Sequence, residues 1–322
     1  MNPLKNILYV SEGAVPEECS IMRAVSLAEN NQAELTVIDV IPDITARIGM
    51  PRTGPTSNEL RSATVNEHRN RLEALIEPYR KRLHIELEVL VGELFLEVIR
   101  TVLRNNHDLL IKPAENPSFI QRLFGSNDMQ LLRNCPCPVW LTRATEASKY
   151  EHILAAVDFD PDLPDDTEQN LNWQILELAG SLAISDFAAL HVLHVWEAPA
   201  EAMLRIWADD PLTASRTYVQ EVRASHEAAH NQLRQQLIGR VGKETSDYLA
   251  PHFHLRRGIA TTVIPQLAQE LNADLVIMGS VARVGIAGLL IGNTAEAVLE
   301  QLQCSVLAVK PPGFISPVKL TE

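Results

Sequence analysis

Gly279-Ser-Val-Ala-Arg-Val-Gly-Ile-Ala-Gly-Leu-Leu-Ile-Gly292-Asn293-Thr294 is the stretch whose residue types and spacing point most directly to chemistry. It follows the apolar run Leu275–Met278 and precedes a helical pattern that begins near Asn293. A glycine at the carboxyl end of a strand lets backbone approach a ligand closely, and open α/β sheets bind ligands at that edge. Gly292 and Asn293 would then place backbone N–H groups at a helix start, where geometry and dipole favour an anion. Asn293 or Thr294 is expected to cap the helix or donate to a phosphate. Arg283 is the candidate for neutralising that phosphate. The pattern is neither a Walker A motif nor a dinucleotide fingerprint. The same glycines also suit tight turns in a plain connection, and Arg283 suits a solvated loop.

Other residues suggest chemistry less sharply. Cys135-Pro-Cys137 has the look of a redox or metal element, but Cys19 and Cys304 have no close partner in sequence and metal sites usually need three or four ligands. Small buried cysteines are the plainer expectation. His252 and His254 share one strand face, whereas His191 and His194 fall on opposite faces. No metal is expected. Asp158, Asp160, Asp162, Asp165 and Asp166 crowd the end of an apolar run; with a phosphate they would call for Mg²⁺, and alone they suit a solvated turn. No HExxH, GxSxG or kinase pattern is present, so no catalytic base or nucleophile is nominated.

The elements that must position these residues occur twice. Asn6–Val10 and His152–Asp158 open matching halves as short apolar strands. Gly92 precedes Asp108 by the same spacing that separates Gly258 from Asp274. Gly125 leads to Cys135-Pro-Cys137, as Gly292 leads to Cys304. Ordered landmarks at a nearly constant offset indicate a duplicated domain, with copies at 1–144 and 149–313 and a polar linker over Thr142–Glu151. In the first copy strands are expected at 6–10, 34–40, 85–91, 109–111 and 138–141, with helices at 15–30, 58–83 and 94–105. In the second, strands are expected at 153–157, 188–196, 252–257, 274–278 and 305–309, with helices near 168–184, 216–239, 260–272 and 293–302. Strands alternating with helices give an α/β fold, two tandem open parallel five-stranded sheets with helices on both faces. The long connection 197–216, with Met203, Leu204, Ile206 and Trp207, is expected to hold a short helix over the sheet edge.

The 322 residues carry 28 basic and 41 acidic side chains, a formal charge of −13. An acidic balance argues against nucleic acid as a partner. Four cysteines imply no secreted disulfide framework. No leader and no apolar run of membrane-spanning length is visible, so a cytoplasmic protein is expected.

The order strand, Gly279-x-x-Ala282, nine residues, Gly292-Asn293, helix, Cys304-Ser-Val306 resembles the universal stress protein family, and the whole chain resembles its tandem, E-type members. The resemblance covers 4–141 and 152–311. It implies an adenine nucleotide alpha hydrolase-like fold with flavodoxin-like layering and strand order 3-2-1-4-5. It also implies that the last strands of the two copies meet as in an internal pseudo-dimer, with a homo-oligomer open. The family's nucleotide pattern, Gly-x2-Gly-x9-Gly-Ser/Thr with an aspartate ending the first strand, falls on Asp158, Gly279, Ala282, Gly292 and Asn293. Alanine replaces the second glycine and asparagine the terminal Ser/Thr. In the first copy Ser11 replaces the aspartate and Lys112-Pro113 replaces Met278-Gly279, leaving Gly125-Ser126. The resemblance thus implies a small-molecule ligand, ATP with Mg²⁺ in the second copy, and a role in stress response. A carrier of acyl or nucleotide-sugar compounds, a protein-interaction module and a slow ATPase are the alternatives.

Overall fold

The computed structural model of the chain describes residues 4–43, 57–115, 126–143, 149–162, 166–280 and 292–320. In the first half, strands β1 (Asn6–Val10), β2 (Glu34–Ile41), β3 (Ile85–Val91), β4 (Leu109–Pro113) and β5 (Val139–Thr142) alternate with helices α1 (Glu18–Asn31), α2 (Ser57–Ile76), α3 (Leu94–Asn105) and α4 (Asn127–Asn134). The second half runs β6 (His152–Val157), α5 (Asp166–Asp186), β7 (Ala189–Trp196), α6 (Glu201–Trp207), α7 (Pro211–Val241), α8 (Lys243–Leu249), β8 (His252–Arg257), α9 (Ala260–Glu270), β9 (Leu275–Gly279), α10 (Asn293–Leu299) and β10 (Ser305–Val309).

The chain forms two compact units, one of residues 149–302 and one of residues 2–148 with 303–322. In the latter, parallel strands pair in the order β3-β2-β1-β4-β5, with Leu8 of β1 between Thr36 and Leu110. β10 joins this unit against β5 and runs antiparallel to it, Leu307 opposite Trp140. The last strands of the two sequence copies are therefore hydrogen-bonded partners. The sheet expected to be wholly parallel gains one antiparallel strand, and residues 303–313 pack with the first half because this ladder holds them there. In the unit of residues 149–302, parallel strands pair as β8-β7-β6-β9.

The burial of these strands follows from their composition. Every residue of β4 and β10 is buried; the apolar runs Leu109–Ile111 and Val306–Val309 suit strands covered on both faces, whereas Lys112 and Ser305 are buried polar residues. α3 turns Val98, Ile99 and Val102 inward, the one-sided stripe of an amphipathic helix. α2 buries Leu72 and Ile76 completely and stops at Ile76, seven residues before the expected end, where Pro78 lies within a 3-10 turn. α7 begins earlier than expected. Pro211 opens it and the Asp210 carboxylate accepts the Thr213 N–H at 3.3 Å, a start signal of the usual kind. α6 is the short helix expected in 197–216. Its Met203, Ile206 and Trp207 are exposed, Trp207 by 83%.

Candidate functional site

Parallel pairing places the ends of β6 and β9 side by side, with Ala156 opposite Met278. Asp158 and Gly279 therefore meet at one carboxyl edge, as the sequence pattern requires. Asp158 is held by its backbone. Its N–H donates to Asn172 Oδ1 at 3.0 Å, and its carbonyl accepts from Asn172 Nδ2 at 2.6 Å. Asn172 is a buried residue of α5, so the two contacts fix the turn after β6 to the helix that follows it. The exposed Asp158 side chain is thus presented at the edge by a clamped main chain. Phe159 stacks on the His194 ring at 3.7 Å between centroids and pins the same turn to β7. Asp160 Oδ1 accepts the Asp162 N–H at 2.9 Å, an acidic turn of the expected type.

Gly279 ends β9 close to α5. A Cβ there would lie 2.9 Å from Leu171 Cδ2, the end of a flexible side chain. Ser280 follows, fully buried, and its carbonyl accepts the Gly292 N–H at 2.9 Å. This bond joins the two ends of the glycine-rich segment. It also corrects one expectation: the Gly292 N–H is already committed to Ser280 and does not offer itself to an anion. Gly292 itself occupies the cap position of α10, which neither Asn293 nor Thr294 fills. Both of those side chains are exposed at the helix start. Ala282 and Arg283 lie outside the described residues.

The equivalent edge of the first half is filled by its own charges. Lys112, fully buried at the position of Met278, lies 2.9 Å from Asp128 Oδ1 and 2.6 Å from Glu12 Oε2 and donates to the Pro113 carbonyl at 3.0 Å. Asp128, in the first turn of α4, also accepts the Glu115 N–H at 2.8 Å. Burial pushes the Lys112 pKa down, but the two carboxylates outweigh it and hold the ammonium above its ordinary value. Burial raises the Glu12 carboxyl despite Lys112 beside it. After β1, the loop turns its donors onto the Glu17 carboxylate. Its Oε1 accepts from Ser11 Oγ at 2.9 Å, the Glu12 N–H at 2.9 Å and the Gly13 N–H at 2.5 Å. Arg71 covers this loop, with its guanidinium in the space a Gly13 Cβ would need, and pairs with Asp39 at 2.5 Å. Ser126 caps α4 by accepting the Met129 N–H at 3.2 Å. Gly125 lies outside the described residues.

Asn172, Glu17, Asp128 and Arg71 carry no motif, and sequence reading missed them. The signals available were an asparagine inside a helix and a lysine where the second half has Met278. Cys135 and Cys137 are buried thiols with sulfurs 3.5 Å apart. Among the described residues, no group of three or more His, Cys, Asp and Glu is arranged to hold a metal ion, and no helix is long and apolar enough to cross a membrane.

Comparison with known proteins agrees with this architecture. The model of the universal stress protein family matches residues 3–143 and again 149–310. The chain is 28% identical to universal stress protein E of Photorhabdus laumondii, over 99% of this chain and 98% of that one. It is 27% identical to the universal stress protein E homolog of Haemophilus influenzae, over 95% and 97%. The crystal structure of a functionally unknown protein from Pseudomonas aeruginosa PAO1 superposes with a TM-score of 0.67 at 26% identity, covering 96% of this chain and 93% of that one. A universal stress protein from Archaeoglobus fulgidus shares the fold, with a TM-score of 0.62 at 18% identity over 95% and 98%. Two family matches that together span almost the whole chain, on two copies of one α/β arrangement, make this chain a tandem member of the universal stress protein family.

Proposed function

We propose that the chain is a ligand-binding stress-response protein that takes an adenine nucleotide at the carboxyl edge of β6 and β9. The observation that carries this reading is the contrast between the two halves. Lys112, Asp128, Glu12 and Glu17 satisfy one another where the first half would hold an anion. At the matching strand ends of the second half stand a glycine and an exposed aspartate. Asp158 is suited to accept from a ribose hydroxyl or adenine amine. Gly279 allows close approach of the phosphate chain, with Asn293 and Thr294 at the α10 start as polar donors. Ala282, Arg283 and the rest of the glycine-rich segment complete the proposed cradle. Gly125 and Ser126 form its reduced counterpart, in which Ser126 serves α4. Asp160 and Asp162 are oxygen donors of the kind Mg²⁺ takes when it accompanies a nucleotide. The first half acts as a scaffold, and the site of action is cytoplasmic.

Titration calorimetry of the full chain with ATP and Mg²⁺ tests this. Saturable heat that is lost in Asp158→Ala and Gly279→Val, both still folded, is the expected result. No heat with the wild type, or heat unchanged in both variants, overturns it. A second reading, a protein-interaction module, is favoured by the exposed Met203, Ile206, Trp207 and Leu212 of α6 and the α7 start. It survives a failed titration.

A further inference from the structure

The chain has 10 histidines, and most of them collect around β7. On one face of the sheet His152 of β6, His191 of β7 and His254 of β8 form a hydrogen-bonded row. His152 Nδ1 lies 3.3 Å from His191 Nε2, and His191 Nδ1 lies 3.1 Å from His254 Nε2. The His252 ring stacks beside His191 with centroids 5.0 Å apart. The opposite face of β7 carries a second contact, His194 Nε2 to His226 Nδ1 of α7 at 2.9 Å. His230, one helical turn on, is buried, and its Nε2 has no hydrogen-bond partner. β8 is the last strand in the pairing order of this unit. Imidazole contacts therefore join it to β7, and β7 in turn to β6 and α7.

We infer that this histidine cluster is a proton-operated latch that holds edge strand β8 on β7 while the imidazoles are neutral and releases it when they become charged. The reason lies in proton counting. Each contact in the row needs one nitrogen with a proton and one without. Three neutral imidazoles supply three protons, two for the contacts and one for an outer nitrogen. A fourth proton fits on the other outer nitrogen. A fifth must enter a contact already holding one, so that N–H faces N–H across about 3 Å, the spacing the row shows. The latch thus tolerates one charge and fails on the second, and His252 stacked alongside opposes the protonation of His191.

The surrounding charges offer little relief. Arg256 and Glu270 flank His254 and lie 3.6 Å from each other, so the carboxylate is shared. Asp274 spends its carboxylate on the backbone N–H groups of Glu151 and His152. Arg234, on α7, faces His230 and opposes its protonation. Burial first, then the neighbouring His254, His252 and His152, press the His191 pKa down to about 4. Burial and Arg256 lower His254, and burial and Arg234 lower His230. Folded pKa values below the ordinary 6.5 mean that the opened state binds more protons. Stability is therefore complete above pH 6.5 and is lost as pH falls from there toward 4. The far end of β8 is tied to α6, because Arg257 pairs with Glu201. Release of β8 would thus loosen the helix that exposes Trp207. This inference stands apart from nucleotide binding and needs no ligand.

Hydrogen exchange of the full chain, followed by peptide from pH 7.5 to 4.5 in the presence of EDTA, tests it. Protection factors corrected for intrinsic exchange are expected to fall across 252–257 by more than tenfold per pH unit below pH 6, the mark of more than one coupled proton. Peptides of β1 and β4 should keep theirs over the same range. His191→Gln with His254→Gln keeps polar contacts and should flatten the β8 slope. If that double variant does not fold, His252→Gln, at an exposed position, should reduce the slope alone. Unchanged β8 protection from pH 7.5 to 4.5 overturns the latch. So does a loss shared equally by β1 and β4, or one that appears only without EDTA.

Discussion

Lys112 Nζ and Asp128 Oδ1 lie 2.9 Å apart, with both side chains almost wholly buried. The lysine stands where the second half has Met278, and the aspartate lies in the first turn of α4. A cation and a carboxylate from the chain itself thus fill, in one copy, the strand edge that carries Asp158 and Gly279 in the other.

Removing one member of that pair strands the other. Lys112→Met leaves Asp128 and Glu12 buried without their cation, which is expected to cost about 3–5 kcal/mol. Lys112→Met combined with Asp128→Asn should recover part of the loss. Denaturant unfolding of wild type, Lys112→Met, Asp128→Asn and the double variant measures the coupling; additive effects would contradict a direct ion pair.

Asn172→Ala removes both contacts to the Asp158 backbone. A loss of about 1–3 kcal/mol is expected from the unmade hydrogen bonds. Nucleotide affinity should fall with it, since Asp158 keeps its side chain but not its position. Calorimetric binding and thermal unfolding on the same sample separate the two effects.

Gly279 is tolerant of a methyl group. The Cβ of Gly279→Ala meets only the end of the flexible Leu171 side chain, at 2.9 Å, so about 1 kcal/mol or less is expected. Gly279→Val brings added bulk to the same place and is expected to cost about 1–3 kcal/mol. Equal unfolding midpoints for the two variants would show that the β9 end has more room than the contact implies.

Lys310 gives an alkaline signature. It is buried, donates to the Leu132 and Arg133 carbonyls at 2.7 and 3.2 Å, and burial brings its pKa down from 10.5 to about 8. Between those values the unfolded chain keeps a proton that the folded chain has lost. Stability therefore rises with pH from about 8 to 10.5, by about 1–3 kcal/mol from this group. The stability difference between wild type and Lys310→Met, measured at pH 7.5 and 10, should carry that slope. A pH-independent difference would contradict it.

Ser126→Ala tests the cap of α4. Loss of the 3.2 Å contact to the Met129 N–H should cost about 1 kcal/mol. An unchanged denaturation midpoint would mean that solvent replaces the hydroxyl.

The sequence by itself determined the α/β layering, the duplication and most strand positions. These rest on local composition and on landmarks repeated at constant spacing. Leu109–Ile111 reads as a buried strand because nothing in it is polar, and α3 was legible to the residue because its apolar stripe is regular. The sequence also brought Asp158 and Gly279 to one edge, since parallel strands must end on the same side. Only the tertiary structure decided what those edges hold. Glu17, Arg71 and Asp128 meet the first-half edge from a loop and two helices, and a carboxylate's partner cannot be read from its neighbours in the chain. Gly292 gave up its N–H to Ser280 for the same reason, a bond between residues twelve positions apart in the chain. The antiparallel seat of β10 on β5 is likewise a long-range pairing. A strand's composition records how deeply it is buried, whereas its partner is fixed by where the rest of the sheet leaves an open edge.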